Sequence, residues 1–530
     1  MFLSRPALAL GLVAALAAMG ARPARAESLA DAVAYAYETN PALQAQRASL
    51  RALDEAYVQA KAGYGPSITS SASEASTHDH ISADAAAGTL ATTAIANTDT
   101  ESITVNQPIY TGGRVHSQVN EAEAGILAGR ETLRHAEIDL INRVVAAYVG
   151  VLRDQALLKV SQDTVAVLEK QLSDTEARAA PKVRELTETD VAEATARLSQ
   201  ARSDLANARA ALAVSRAQYV ATIGQPPGDL DPPPPLENLP ATVDDAFNAA
   251  ENNNPQLLTA IYTEERSRAR IDEAKAALHP TVSAQLNVYR SPEVPYSGAP
   301  YYDAIAGTVT ITQPIFTSGQ LQSQVRQAAD QNDADRLNID DARQQVVLAV
   351  SSAWEQLVAA RLQIDSLAQV VNADEYSFYG NREEAKLALR STIDVLNAQL
   401  ELTTAQQALI RARATEYAAR VELLATIGVL SPATLSPNVK PYDAVANLRR
   451  VEHLGETPLE WPARALDAIG QPGVGRAPPS SIAEAVPGGS PLPPTPAPAA
   501  PARSILSTLE APPPAPNSTP PATSPGAGGR

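Results

Sequence analysis

The chain contains an internal duplication, and this feature restricts its fold more than any other. The segment QPIYTGGR at 107–114 returns as QPIFTSGQ at 313–320, and ATIG at 221–224 returns unchanged at 425–428. Self-similarity at a fixed spacing indicates one structural unit that is built more than once. We therefore predict two copies of one fold between residues 27 and 431.

Each copy shows the same order of secondary-structure signals. An opening helix is followed by two short alternating segments, a long helix and a returning helix. The alternation is clearest where Val282, Ala284, Leu286 and Val288 are separated by polar residues, as expected for strands with one apolar face. The predicted bounds are opening helices 41–63 and 255–278, β-hairpins 66–110 and 280–315, and long plus returning helices 115–223 and 321–427.

The long helices, predicted at 115–179 and 321–387, carry apolar residues at strict seven-residue spacing. Sustained heptads predict a left-handed coiled coil that needs a partner helix. A periplasmic coiled-coil adaptor or scaffold protein would show the same heptads, but it would lack the strand pairs. The heptad residues are Val144, Val151, Leu158, Val165 and Leu172 in the first copy, and Val350, Leu357, Ile364, Val371 and Phe378 in the second.

The chain begins with a secretory signal pattern. Arg5 precedes the apolar run 7–19, and Ala24 and Ala26 form a small-x-small cleavage site. That run is shorter than the ~20 residues that a membrane-spanning helix requires. The predicted order is a signal peptide at 1–26, repeat one at 27–228, a Pro-rich linker at 229–240, repeat two at 241–431, an equatorial C-terminal segment at 432–465 and a Pro-rich disordered tail at 466–530.

Composition excludes several classes of function. The chain has no cysteine, so thiol catalysis, disulfides and Cys-ligated metals are excluded. A formal charge of −17 argues against a nucleic-acid partner, because phosphates would be repelled. The sequence also has no catalytic signature, so we predict no enzyme activity and no cofactor. The segment His78-Asp79-His80, in a predicted extracellular loop, offers too few ligands for a metal site.

A membrane interpretation of the strands requires an oligomer. Four short strands do not close a barrel, and an open sheet edge is not viable in lipid. Three chains supply twelve strands, which is enough to enclose an aqueous lumen. A surface enzyme that uses such a barrel only as an anchor is a second alternative, but it has no catalytic constellation to support it.

Several motifs together resemble the TolC family of outer-membrane factors. They are the two Gln-Pro-Ile-aromatic junctions, the opening ESLADA at 27–32 followed by Asn40-Pro41, and the helix starts TDV at 189–191 and IDVLNA at 393–398. The resemblance covers residues 27–431. It implies a mostly α protein with membrane β-structure, in which a trimeric 12-stranded outer-membrane β-barrel continues as a 12-helix coiled-coil α-barrel.

The resemblance also implies a function and partners. Such proteins are passive exit ducts in the outer membrane of Gram-negative bacteria and extend into the periplasm. They serve tripartite type I secretion or multidrug efflux systems. The implied partners are outer-membrane lipid, a periplasmic adaptor and an inner-membrane ABC or RND-type transporter.

The implied functional positions lie at the two helix turns. Asp394 and Asn397 match the pore constriction, and Arg390, Thr189 and Asp190 match the closed gate. The alternative for both aspartates is a helix cap, because Thr187-x-x-Asp190 and Ser391-x-x-Asp394 have capping-box spacing. The adaptor contacts map to Val183, Arg184, Glu185, Leu186, Leu387, Ala388 and Leu389.

Three positions depart from the family pattern. Arg184 and Ala388 replace the tip glycines, which puts the usual mode of adaptor docking in question. Ala385 stands where the family has the tyrosine partner of Arg390, so half of that latch is absent.

Overall fold

A computed structural model describes residues 27–81, 91–182, 185–236, 239–292, 301–387, 389–437 and 439–467. The predicted signal peptide therefore lies outside the described residues, as does the tail from residue 468 onward. The elements in chain order are α1 (Leu29–Thr39), α2 (Pro41–Lys61), β1 (Ser67–Ile81), β2 (Thr92–Tyr110), α3 (Arg114–Ala179), α4 (Glu188–Ile223), α5 (Val243–Asn253), α6 (Pro255–Ala276), β3 (Thr281–Pro292), β4 (Tyr301–Thr312), α7 (Gln320–Lys386), α8 (Thr392–Thr426), α9 (Pro432–Leu435), α10 (Ala446–Val451) and α11 (Glu460–Asp467).

The four strands form one antiparallel sheet in the order β1-β2-β3-β4. Ile103, Val288 and Ile305 are direct cross-strand neighbours and lie on the same face. The opposite face is polar, and there the Thr104 hydroxyl donates to Asn287 Oδ1 at 3.2 Å. Because side chains alternate across a strand, the period-2 pattern of the sequence becomes one apolar face and one polar face.

The structure corrects two predictions about the strands. His78 and His80 lie within β1, not in a loop, and His80 Nδ1 is 3.1 Å from Thr93 Oγ1 on β2. The second hairpin ends at Thr312, short of the predicted residue 315, whereas β2 continues to Tyr110. The reason is pairing: the end of β2 is bonded to β3, but β4 is the outer strand of the sheet.

The helices form a wall in which shorter helices stack end to end beside the long ones. Helix α3 packs along α4, α2 and α6, and α7 packs along α8 and α6. The stacking is direct where α8 meets α6, because Asn254 Nδ2 donates to Thr426 O at 2.7 Å. Within the described ranges, no helix has an apolar stretch long enough to cross a bilayer.

A charged residue interrupts the heptad pattern of α8. Glu416 is buried there and pairs with two buried arginines, Arg361 across the coiled coil and Arg420 on its own helix. A buried charge is tolerated only when it is paired. The pair across the coiled coil therefore also fixes the alignment of α7 and α8.

The C-terminal segment packs onto the first copy of the repeat. Asn447 Nδ2 donates to the buried carboxylate of Asp54 on α2 at 2.8 Å. Asp467 is buried and accepts the backbone N–H of Thr111 at 2.7 Å. The predicted start of the disordered tail at residue 466 is therefore wrong: Leu466 and Asp467 belong to α11, because Asp467 is bonded to the junction between β2 and α3.

Candidate functional site

The two helix turns that carry the predicted site residues differ in how much of them is described. The first tip (residues 180–187) joins α3 to α4, and Val183 and Arg184 in it lie outside the described residues. The second tip (residues 387–391) joins α7 to α8, and Ala388 in it lies outside them as well. The neighbouring residues of both tips are described and carry the contacts that follow.

The first tip is held by an ion pair across the turn. Arg178 Nε lies 3.0 Å from Glu185 Oε2, and the Glu185 N–H donates to Arg178 O at 3.0 Å. Leu186 is half-buried. Glu185 is therefore engaged in closing the turn, while Leu186 remains partly accessible.

The second tip presents two exposed leucines. The side chains of Leu387 and Leu389 are 72% and 70% exposed. The Leu389 N–H donates to Glu384 O at 3.0 Å, which closes the turn at the end of α7. The two leucines are two residues apart and give this turn a small exposed apolar surface.

Asp190 and Asp394 occupy equivalent positions in two capping boxes. The Thr187 N–H donates to Asp190 Oδ2 at 2.8 Å, and the Ser391 N–H donates to Asp394 Oδ2 at 3.1 Å. In return, each hydroxyl oxygen accepts the backbone N–H of its aspartate. Each hydroxyl also donates to the carboxylate of its aspartate at 2.7 Å, and this hydrogen bond, followed by the one from the backbone N–H, lowers the pKa of both carboxyl groups. Both aspartates are thus ionised helix caps, as the alternative interpretation anticipated.

The cap geometry leaves part of Asp394 available for another role. Both of the hydrogen bonds that Asp394 accepts from Ser391 go to Oδ2, and the side chain is partly exposed at the tip. The second carboxylate oxygen, Oδ1, takes no part in them. Capping and pore lining are therefore compatible at this residue.

Arg390 of the second tip pairs with the last turn of α7. Its Nε lies 2.9 Å from Glu384 Oε2, and this hydrogen bond raises the pKa of the guanidinium. Thr189 is exposed, and Asp190 is bonded to Thr187. Within one protomer the structure does not bring Arg390 into hydrogen-bond contact with Thr189 or Asp190.

Asn397 makes a contact that the sequence did not indicate. Arg197 Nη2, on α4, donates to Asn397 Oδ1, on α8, at 3.1 Å. Asn397 lies three residues after Asp394, so the two side chains share one face of the helix. The returning helices of the two copies are thus tied together directly beside the predicted constriction. Apolar periodicity carries no signal for such a contact, because both residues are polar.

A polar seam between the copies lies behind this contact and was also missed. Thr164 Oγ1 on α3 is 3.3 Å from Thr403 Oγ1 on α8, and Gln399 Nε2 donates to Thr403 Oγ1 at 3.1 Å. All three side chains are buried. Neither threonine stands at a heptad position, so the seven-residue spacing gave no signal for this seam.

The described side chains provide no evidence for a metal centre. Among them, no three His, Cys, Asp or Glu residues are grouped in a way that would hold an ion. His78 and His80 lie on one face of β1, and the side chain of Asp79 is outside the described set.

Comparison with known proteins now identifies the family. The family model described as "Outer membrane efflux protein" matches residues 33–225 and 246–429, one segment in each copy. The chain belongs to this family. It is an outer-membrane channel protein of efflux or type I secretion systems that extends into the periplasm, and members of the family are ducts, not enzymes. The predictions of family, of location and of a mostly helical chain with four antiparallel strands are confirmed.

Individual relatives agree with this assignment. The chain is 29% identical over 440 residues to the outer membrane efflux protein BepC of Brucella suis, which covers 81% of this chain and 91% of BepC. It is 22% identical over 346 residues to the alkaline protease secretion protein AprF of Pseudomonas aeruginosa, covering 63% and 70%. The Campylobacter jejuni CmeC outer membrane channel shares its fold, with a TM-score of 0.66 at 14% identity, covering 80% of this chain and 88% of CmeC.

Proposed function

We propose that three copies of this chain close into one duct. The observation that carries the proposal is the sheet: it has four strands in the order β1-β2-β3-β4, with two open edges and one apolar face. Edges that are open in one chain need partners before the sheet can reside in lipid. Pairing β4 of each protomer with β1 of the next would give twelve strands, with the apolar faces turned to lipid.

In this assembly the helix tips form the periplasmic mouth. Each protomer contributes Asp394 and Asn397 from the first turns of α8, so three carboxylates would surround the opening. A ring of carboxylates attracts cations and repels anions. An aspartate is ionised at neutral pH, and the cap lowers the pKa of Asp394 further, so each carboxylate of the ring would carry its charge.

The tips also supply the surface for a periplasmic adaptor. The exposed Leu387 and Leu389 of the second tip are the apolar part of that surface, and Glu185 and Leu186 of the first tip lie at its other end. Val183, Arg184 and Ala388 belong to the same proposed contact. An inner-membrane transporter of the ABC or RND type would complete the system. We favour efflux over secretion, because the chain matches an efflux protein over more of its length and at higher identity than it matches a secretion protein.

The pore role of Asp394 is tested by removing its charge while keeping its cap. Asp394→Asn retains an oxygen that accepts the Ser391 hydrogen bonds, so the helix start stays intact. We expect planar-bilayer recordings of the variant to show reduced cation selectivity. Asp190→Asn makes the same change in the equivalent capping box of the first copy, and its selectivity should equal that of the wild type. Equal selectivity of Asp394→Asn and wild type would remove Asp394 from the pore.

The trimer itself is tested by the mass of the detergent-solubilised protein. A mass of three chains is the expected result, and a monomer would contradict the assembly.

A further inference from the structure

Two apolar patches are uncovered at the end of the sheet where the strands meet the helices. The first follows β4: Ile315 is 95% exposed and Phe316 is 85% exposed. The matching residues of the first copy, Ile109 and Tyr110, are half-buried. The duplication therefore places a bulky apolar pair at both junctions, but only one of them is covered within the protomer.

The second patch consists of the exposed apolar side chains at α11, chiefly Trp461, together with Leu466 and with Leu459 just before the helix. Glu460 and Asp467 point inward and are buried, whereas Trp461 is 77% exposed and Leu459 and Leu466 are also exposed. The inward carboxylates are bonded: Glu460 accepts the Thr457 N–H at 2.9 Å, and Asp467 accepts that of Thr111. The inward side of the helix also holds Ala463, which packs with Tyr64, Val115 and Val119. Among the described residues of the protomer, Trp461 is thus a large apolar side chain that remains uncovered beside this junction.

The strand order brings the two patches together in a closed ring. The first patch lies just beyond the β4 edge. Helix α11 lies at the β1 side, because the Glu460 carboxylate packs against Gly65, two residues before β1. Pairing of β4 with β1 of the next protomer sets the end of β4 about 10 Å from the end of that protomer's β2, at ~4.8 Å per strand. Aromatic side chains can bridge this separation.

We propose that α11 of each protomer covers Ile315 and Phe316 of the neighbouring protomer. This contact would hold the three protomers together at the end of the sheet where the strands meet the helices. This contact rests on the trimer proposed above and adds to it a second interface, which is apolar and independent of strand pairing. Trp and Phe side chains each carry 150–250 Å² of surface, and its removal from water is favourable. A second copy of this chain is the occupant, because closure of the ring places the two uncovered patches side by side.

The natural absence of cysteine makes cross-linking a direct test. The pair Phe316→Cys with Trp461→Cys, treated with a short bis-maleimide in the outer membrane, should give covalent dimers and trimers on denaturing gels. The pair Ile315→Cys with Leu466→Cys should also give covalent dimers and trimers, and it keeps both aromatic side chains of the proposed contact. Each single variant is a control and should remain monomeric on the gel. The pair Leu337→Cys with Trp461→Cys is a further control and should give no cross-link. Leu337 is exposed, but it lies on α7 ~25 Å from the start of that helix, too far from α11 for a short linker.

The outcomes separate this proposal from the trimer. A native trimer in which neither pair cross-links between chains would overturn the α11 contact and leave the proposed duct intact. A monomer in detergent would instead contradict the duct. A cross-link that is absent from the full chain and appears only on truncation after Gly470 would assign the patch to the C-terminal residues rather than to the neighbouring copy.

Lipid is the remaining occupant, and fluorescence distinguishes it. Trp354 is fully buried and Trp461 is exposed, so the signal that Trp461→Phe removes belongs to Trp461. In vesicles of brominated phospholipid, we expect that signal to be quenched no more than the signal of buried Trp354. Strong quenching of Trp461 would place α11 against the bilayer and contradict the contact between protomers.

Discussion

The two copies of the repeat share their local chemistry but differ in what surrounds it. Both begin with a capping box, Ser28 with Asp31 and Thr242 with Asp245, and both repeat this device at the tips. Both also start their second helix on an Asn-Pro pair, in which the Asn side chain caps the helix. The devices that start and stop helices have thus been retained in both copies.

The difference lies at the junction of strand and long helix. In the first copy, Asp467 binds Thr111 and the neighbouring Val115 is fully buried. In the second copy, Thr317 and Leu321 are the matching residues, and both are only half-buried. The covering segment is not part of the duplicated unit. A repeat therefore determines its own helix and strand ends, whereas the environment of this junction is set by a segment outside the two repeats.

The largest expected contrast between the copies is at the glycines that end the returning helices. Gly224 and Gly428 both have a positive φ, of 99° and 77°. A Cβ at Gly428 would lie 2.2 Å from Asn253 O, whereas at Gly224 its nearest neighbour would be a Tyr35 side-chain atom at 3.5 Å. We expect Gly428→Ala to lower the free energy of unfolding by roughly 3 kcal/mol and Gly224→Ala by about 1 kcal/mol, because only the first adds a backbone clash to left-handed strain.

Denaturant titration followed by circular dichroism measures both glycine variants under the same conditions. Equal losses would show that the stacking of α8 on α6 is no tighter than the stacking in the first copy.

The second contrast concerns the side-chain carboxylate of Asp467, in the C-terminal segment. Asp467→Ala removes the acceptor of the Thr111 N–H and hydroxyl and leaves a buried donor without its partner. We expect a loss of about 2 kcal/mol in the free energy of unfolding. Thr317→Ala is the matched control in the second copy and should change stability by less than about 0.5 kcal/mol. Hydrogen exchange at the start of α3 should rise in Asp467→Ala and stay unchanged in the control.

Much of this fold was predictable from local pattern. Alternation at Val282 to Val288 identified a strand, and seven-residue spacing identified helices of more than sixty residues. These signals are strong because they recur in both copies. The capping boxes at Thr187 and Ser391 were likewise readable, since the chemistry of a helix start is confined to four residues.

The contacts between copies were not predictable in the same way. Arg197 with Asn397, and Thr164 with Thr403, join residues about two hundred positions apart through polar atoms, and neither pair has a period. The end of α11 was missed for a related reason. The helix has only eight residues, which is too short for a periodic signal, and a distant residue, Thr111, holds Asp467 in place. Contacts of this kind can be identified only after the fold is known, because the fold brings the two distant residues together.

The smallest contrast concerns an exposed ion pair, and it depends on pH. Lys61, near the end of α2, pairs with Glu456 of the C-terminal segment, whereas the matching Lys275 pairs with Asp272 on its own helix at 3.1 Å. The hydrogen bonds from Lys61 and His453 lower the pKa of Glu456 from 4.5 to about 2. A lowered pKa in the folded state means that Glu456 stabilises the contact fully above pH 4.5, and that this contribution is lost as the pH falls through about 2.

We therefore expect the wild type and Glu456→Gln to differ in the exchange of the α10 amide hydrogens at pH 6 and to converge as the pH falls towards 2. The comparison is made at each pH, so the intrinsic exchange rate cancels. Asp272→Asn removes the corresponding partner in the second copy and should leave α10 unchanged throughout, because that pair lies within α6. The effect is small, since exposed ion pairs contribute little to stability. If the exchange rates of wild type and Glu456→Gln still differed by the same amount at pH 2, the glutamate would hold the segment by packing and not by its charge.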